Sequence, residues 1–508
     1  MAITLLQNQH SYINTIAKVL CLGVFAFLLS SCQTDHTDHT DNVPLPVSLS
    51  TVNQIVYANT GNLLQSLTEA EGKNDSQTIH GVPVTFIDDL KLRTFTYFWE
   101  VYDTLTWQTD DRYPTRSFTS IAATGFALPS YIIGIHNGYI TREQGSERVY
   151  NVLDWLWGAP QGSDQSSASG YRGFYYHFLN YGTGTRYRQV ELSTIDTALL
   201  MAGILTAKSY FDGDSEQEQL IRDLADKLYR RVQWDWAMDN NPTMSMGWYP
   251  ESGFIASQWK GYDESMILLI LALGSPDHSV PVEAWNTWTS TNKWADFYGY
   301  EHVNFGPLFG HQYSHMFIDF RQIQDDYIRK KGIDYFENSR RATLANRAYC
   351  IENPIGFKGY SQNIWGLTAC DGPAYEARII DGKTIQFRKY HARGAAAGYI
   401  EDDGTITPTA AGGSIPFAPE ETLAALYEMK NLFGGKIYSD YGFLDSFNFT
   451  YDEEGWFNTD YIAINQGPIL VQLENQQTGL IWDILKKNPY IQKGLLKAGF
   501  TGGWLDTN

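Results

Sequence analysis

The sequence predicts an all-α fold, an (α/α)6 barrel in which six helical hairpins close into a ring. Three observations predict it: helical periodicity dominates from Val84 onward, two kinds of helical segment alternate, and six segments of one kind share one design. The first kind is amphipathic with a charged face, at 85–103, 141–158, 215–236 and 334–353, and reads as surface helices. The second kind begins polar or acidic and then turns apolar nearly all round. It comprises 117–135, 191–211, 261–274, 310–323, 419–433 and 465–475, with small residues in several. A helix that is apolar on every side must be buried on every side, so these six read as an inner ring.

Inner helices of such a ring run parallel, and their six N-termini converge at one end. Open N–H groups and positive helix ends gather there. Glu191, Asp263, Glu264, Glu420 and Glu421 stand at those starts. One such carboxylate is an ordinary first-turn residue or cap. Five at converging termini point to an acidic cleft. Residues 354–418 break the helical pattern with Gly, Pro and β-type runs such as RIIDGKTIQFRKYHARG, and read as a loop excursion with a short hairpin.

The N-terminus divides the chain further. Lys18 precedes an apolar run from Val19 to Leu29 that is too short to span a bilayer, which takes about 20 apolar residues. A cation, a short apolar core and small residues at its end read as an export signal. Leu29-Ser30-Ser31-Cys32 resembles a bacterial lipobox, which implies cleavage before Cys32 and acylation of its thiol. The expected organisation is a signal peptide at 1–31, an acidic tether and linker at 32–84, and a barrel at 85–508. His36 and His39 in QTDHTDHTDN read as part of that solvated tether rather than as metal ligands. The expected location is the cell envelope, with the membrane reached through a lipid on Cys32.

A formal charge of −20 repels phosphate backbones, and no basic stripe offsets it, which argues against nucleic-acid binding. No paired Cys-x-x-Cys, His-Glu-x-x-His or phosphate-cradling Gly-rich loop is present, so neither metal nor cofactor is expected. Cys350 and Cys370 remain after the signal and the lipidated position, with nothing in the sequence to set them side by side. Aromatics make up 15% of residues and crowd polar, Gly-rich segments at 170–189, 246–264 and 447–461. Rings with apolar faces and polar rims suit sugars, which are apolar on their faces and hydroxylated at their edges.

Carboxylates among aromatics point to glycosidic bond cleavage, which takes one carboxylic acid for the leaving oxygen and one carboxylate to activate water or attack directly. Glu264 is the expected acid. It follows Trp259, Gly261, Tyr262 and Asp263 and precedes MILLILALG, so that apolar walls and a neighbouring carboxylate both raise its pKa.

GYDESMILLILALGSP (261–276), GPLFGHQYSHMFIDFR (306–321), GLTACDGP (366–373), PFAPEETLAAL (416–426), YGFLDSFN (441–448) and DYIAINQGPILVQLEN (460–475) together resemble the glucoamylase-like domain of glycoside hydrolase family 144. The resemblance runs colinearly over 85–508. It implies an (α/α)6 barrel and hydrolysis of β-1,2-glucan with inversion, releasing sophorose or longer oligosaccharides. It places Glu264 in the family's Gly-Tyr-x-Glu motif and sets Glu191 and Asp196 of ELSTID on its other acidic cleft motif, so that Glu264, Glu191 and Asp196 are the expected catalytic carboxylates, with Glu191 or Asp196 opposite the acid. Cys370 stands where relatives commonly carry a small hydroxyl residue. Trp259, Tyr262, His311, Tyr313, Asp319, Arg321, Trp365, Asp371, Glu420, Trp456, Asp460 and Gln466 are expected around the sugar, although Arg321 is also spaced to pair with Asp319 and His311 to cap a helix. Two other readings use the same features: a non-catalytic surface glycan binder, and a polysaccharide lyase on the same toroid.

If Cys32 carries the anchor, Cys32→Ser releases the protein from the membrane fraction without loss of specific activity. Persistent membrane association would require a different anchor.

Overall fold

Short hydroxyl and carboxylate side chains set many of the helix starts. Ser120, Thr141, Ser193, Ser215 and Asp334 each accept a hydrogen bond from the backbone N–H three residues on, satisfying a donor that the first helical turn leaves open. A computed structural model of the chain describes residues 77–506, so the predicted signal, Cys32 and most of the tether lie outside the described residues. The helices that build the ring are α1 (Val84–Glu100), α2 (Ile121–His136), α3 (Arg142–Gly158), α4 (Thr194–Tyr210), α5 (Glu216–Arg231), α6 (Met266–Gly274), α7 (Glu283–Ser290), α8 (Tyr313–Phe317), α9 (Tyr335–Glu352), α10 (Pro408–Gly412), α11 (Pro419–Phe433) and α12 (Ala463–Thr478).

Even-numbered helices form the inner ring and odd-numbered helices the outer. Contacts run α2–α4–α6–α8, and α12 packs on both α10 and α2. Between α8 and α10 the Gln312 side-chain amide donates to Ala410 O at 2.9 Å. Every residue of α6 is buried, as is α2 from Ile121 to Gly134, the burial that their all-round apolar sequences require. Beyond the ring, Leu480–Leu485 (α13) packs on α4, α8 and α12, and Pro489–Lys497 (α14) packs on α6.

Three elements differ from expectation. Residues 419–433 form an outer helix, and the fifth inner helix is Pro408–Gly412, which the sequence assigned to the excursion. The inner segment at 310–323 is helical only at Leu308–His311, as a 3-10 turn, and at Tyr313–Phe317. Helix α1 is buried along most of its length despite its charges, because those charges are paired: Lys91 Nζ lies 2.8 Å from the buried Glu474 carboxylate of α12.

Short strands dress the N-terminal end of the ring. Gly253–Phe254, Gly247–Tyr249, Leu192–Ser193, Phe174–Tyr176 and Gly170–Tyr171 make one antiparallel sheet in that order. The excursion contains the expected hairpin, Glu376–Ile380 against Lys383–Phe387, turned at Asp381 and Gly382 with positive φ at both. Ala369–Cys370 pairs with His391–Ala392, with Cys370 opposite His391. Cys350 and Cys370 are free and buried. Among the described residues, no helix is long and apolar enough to cross a membrane.

Helices α2 and α4 approach so closely at Gly125 and Gly203 that a Cβ on Gly203 would stand 2.1 Å from Gly125 O. The obstacle is backbone, so no rotamer change relieves it. Gly203→Ala is therefore expected to cost about 1–3 kcal/mol as an overpacked core, and to lower Tm by several degrees in a thermal melt. An unchanged Tm would show that the two inner helices slide apart freely.

Candidate active site

Each inner helix delivers polar groups to the same end of the ring. Asp111 lies in the loop before α2, Glu191 and Asp196 at the start of α4, and Glu264 just before α6. Tyr313 opens α8, Asp371 lies in the excursion before α10, and Asp445 and Asp460 precede α12. Side chains near these starts pin neighbours together. Ser314 Oγ accepts from Ile267 N–H at 3.0 Å and donates to Glu264 O at 3.3 Å. Thr407 Oγ donates to Asp445 O at 2.6 Å, and Thr409 Oγ to Asn465 O at 2.8 Å.

One group of acids surrounds Glu264. Burial first, then the Asp263 carboxylate, push Glu264 up to about 8, so it carries its proton at neutral pH. Asp263 is structural: it accepts from Ser265 N–H at 3.0 Å, Ser265 Oγ at 2.5 Å and the Trp288 indole at 3.1 Å. Asp196, which also raises Glu264, accepts from Ser193 Oγ in a short hydrogen bond. His177 lies between the other two acids, with Nδ1 2.8 Å from Glu191 Oε1 and Nε2 3.6 Å from Asp196 Oδ1. Burial pushes Glu191 up, but the charge and hydrogen bond of His177, with smaller contributions, outweigh it and hold Glu191 below its ordinary value. At Asp196 burial prevails over His177, and its value is raised.

A second group surrounds Asp445. This buried carboxylate accepts from Asp371 N–H at 2.7 Å and from the Asn465 side-chain amide at 2.5 Å. Burial, followed by the Asp371 charge, raises it to about 7. Arg112 organises the neighbours: Nη1 donates to Asp371 Oδ2 at 2.8 Å, Nε donates to Asp111 Oδ2 at 3.1 Å, and Asp460 Oδ2 lies 3.8 Å from Nη1. Tyr313 stands between the two groups, since Glu264, Asp196 and Asp445 all act on its hydroxyl.

Of the residues singled out in the sequence, Glu264, Glu191, Asp196, Tyr313, Asp371 and Asp460 lie at this end of the ring. Trp259 also adjoins them, its indole donating to Thr194 Oγ1 at 3.0 Å. Trp456 is half-buried two residues before Asn458, whose amide donates to Asp371 Oδ2 at 3.1 Å.

Other predicted contacts fall elsewhere. Trp365 is fully buried in the hydrophobic core. Tyr262 and His311 are buried against each other, ring centroids 4.7 Å apart, and Tyr262 packs on Trp288 and Tyr335. Gln466 is buried and donates to Phe443 O at 2.7 Å. Asp319 and Arg321 form a bidentate pair at 2.7 Å beyond the C-terminus of α8, with Lys486 on the same carboxylate and Arg321 stacked over Trp482. Glu420, 78% exposed, faces His80, which lines a pocket with Leu473 and Gln477 at the C-terminal end of α12. It sits at the wrong end of the ring because α11 is an outer helix.

Sequence reasoning missed His177, Arg112, Asp445, Asn465 and Tyr390. Asp445 and Asn465 lie inside the motifs YGFLDSFN and DYIAINQGPILVQLEN, and His177 lies in the aromatic segment 170–189. Tyr390 follows from strand register. Because Cys370 faces His391, Tyr390 is set beside Asp371, with its ring 40% exposed.

A closed ring of helical hairpins with buried carboxylates gathered at its inner helix starts defines an (α/α)6 glycosidase-type protein. Comparison with known proteins gives the family. The Glycoamylase family, described as "Putative glucoamylase", matches residues 256–489. A solved structure of that description from Bacteroides uniformis is 33% identical, with 85% of this chain and 100% of that one covered and a TM-score of 0.72. An endo-β-1,2-glucanase from Chitinophaga pinensis, solved with sophorotriose and glucose, is 29% identical over 83% of this chain and 99% of its own, with a TM-score of 0.71. The exo-β-1,2-glucooligosaccharide sophorohydrolase (non-reducing end) of Parabacteroides distasonis is 28% identical over 465 residues, 84% of this chain, and the chain spans 60% of that relative's length. The chain belongs to this glucoamylase-like family of glycosidases.

Proposed function

We propose that the chain hydrolyses β-1,2-glucan linkages with inversion at the anomeric carbon, using Glu264 as general acid. The observation that carries this reading is the half-buried Glu264 carboxyl at an inner helix start, pushed up to about 8 with the Asp263 and Asp196 carboxylates acting on it. A carboxyl kept protonated at neutral pH is what a leaving oxygen requires. Relatives that act on β-1,2-linked glucan at 28% and 29% identity support the choice of linkage.

Asp445 is the base in this reading. Raised to about 7, it has the proton affinity to take a proton from water near neutral pH while remaining largely ionised above it. Its amide partners, Asp371 N–H and Asn465, fix its orientation. Glu191 and Asp196 accept hydroxyls of the sugar on the acid side, and the half-exposed Tyr390 ring offers a face on the base side. The proton on Glu264 goes to the glycosidic oxygen as that bond breaks. Water forms the new bond at the anomeric carbon from the opposite face and gives its proton to Asp445. Acylation of Cys32 would hold this enzyme at the cell envelope, close to exported or imported glucan.

Glu264→Gln is expected to lower kcat on linear β-1,2-glucan by roughly a hundred- to ten-thousand-fold while leaving glucan binding and the melt in place. For the unmodified enzyme, kcat/KM should fall as pH rises through about 8, where Glu264 loses its proton. Near-normal turnover by the variant would remove Glu264 from the mechanism.

The stereochemistry supplies an independent check. An acid before α6 and a base before α12 approach from different sides of the ring. Inverting pairs stand roughly 6.5–9.5 Å apart to admit water, whereas retaining pairs stand about 5 Å apart. Proton NMR of the first product should show the α-anomer before mutarotation. Early accumulation of the β-anomer would demand a nucleophile beside Glu264 instead.

A further inference from the structure

His177 takes no part in the proton transfers above, yet it lies at the centre of the acid-side group. It occupies the bend between the strands Phe174–Tyr176 and Phe178–Asn180. The backbone holds it on two sides: its N–H donates to Glu191 O at 3.0 Å, and its carbonyl accepts from Ile121 N–H at 3.3 Å. The ring stacks on Phe178 with centroids 4.0 Å apart. This leaves both ring nitrogens facing carboxylates, Glu191 at 2.8 Å and Asp196 at 3.6 Å. A neutral imidazole has one N–H and one lone pair, so one nitrogen would present its lone pair to a carboxylate oxygen. With both carboxylates ionised, only the imidazolium suits both sides.

We infer that His177 is a positioning residue that stays imidazolium at neutral pH and, as a fixed cation, holds Glu191 ionised and opposes the protonation of Asp196 beside Glu264. The charged groups around it agree. Asp111 acts on it from the loop before α2, Arg112 Nε donates to Asp111 Oδ2, and Arg186 acts on Glu191. Burial alone would lower the ring's value, but Asp196 and then Glu191 carry it up to about 10. The sign follows: the cation is present at all pH below that value and is lost above it. Without it, Glu191 and Asp196 become adjacent like charges in a buried site, and a proton enters the pair. Ionising both then takes a higher pH.

The role in turnover rests on the glycosidase reading, whereas the charge on the ring does not, and the two are tested separately. In protein with 15N-labelled histidine, the His177 signals, assigned by their loss in His177→Gln, should report two protonated ring nitrogens from about pH 6 to about pH 9, well above the ordinary histidine value of about 6.5. A ring that titrates near that ordinary value overturns the inference, whether or not the variant folds. On β-1,2-glucan, His177→Gln should raise KM roughly tenfold toward low pH, where a proton on the Glu191–Asp196 pair removes an acceptor for the sugar, and His177→Lys should bring KM back. A rate lowered equally at every pH would show packing alone and would sink the positioning role. If the unmodified enzyme cleaves no glucan, the proposed function falls and the ring-nitrogen measurement still decides the charge.

Discussion

Six inner helices that point the same way leave one end of the ring with all of their unpaired N–H groups and the other with all of their carbonyls. This arrangement governs the site, because the partly positive end is where acidic side chains are least costly to bury. Glu191, Asp196, Glu264, Asp445 and Asp371 come from segments far apart in the chain and become neighbours only through it. Ser314, Thr407 and Thr409 hold the starts of adjacent helices in place, so the carboxylates are positioned by helices as well as by loops.

Burial raises the proton affinity of Glu264, Asp196, Asp445 and Asp111 and pushes Glu191 the same way. Two cations sort them. His177 stands with Glu191 and Asp196, and Arg112 with Asp111 and Asp371. At Glu264 burial and the neighbouring Asp263 and Asp196 carboxylates act in the same direction, and its value rises to about 8. Asp445 lies between these extremes, adjacent to Asp371 but hydrogen-bonded by two amides. A spread of proton affinities therefore arises from one functional group, through differences in what each carboxylate touches.

The ring and the position of Glu264 were legible because both follow from local pattern. GYDES before MILLILALG announces a polar helix start followed by complete burial, and Glu264 is found where that pattern puts it. Helix 419–433 shows the weakness of the same logic: PEETLAAL also begins acidic and turns apolar, but its glutamates face solvent on an outer helix. The true fifth inner helix, PTAAG, is too short for any periodicity to emerge. His177, Arg112 and Tyr390 escaped because strand register and long-range ion pairs, not spacing, bring them to the site. Asp319 and Arg321 were close enough in sequence to satisfy each other. Trp365, in a polar stretch, is held in the core rather than offered to a ligand.

The seam of the ring lies between α1 and α12, where Lys91 meets Glu474 in a buried pair at 2.8 Å and Tyr113 pairs with Tyr461 across two short strands. These partners stand near opposite ends of the described chain. Contacts of such long sequence separation form late, because the loop between them must first be ordered. A chain that emerges N-terminus first thus carries Lys91 and the apolar flank of α1 uncovered until the last inner helix arrives. During that interval the unfinished ring is a molecule with an open edge, and shielding that edge falls to whatever machinery accompanies the nascent chain.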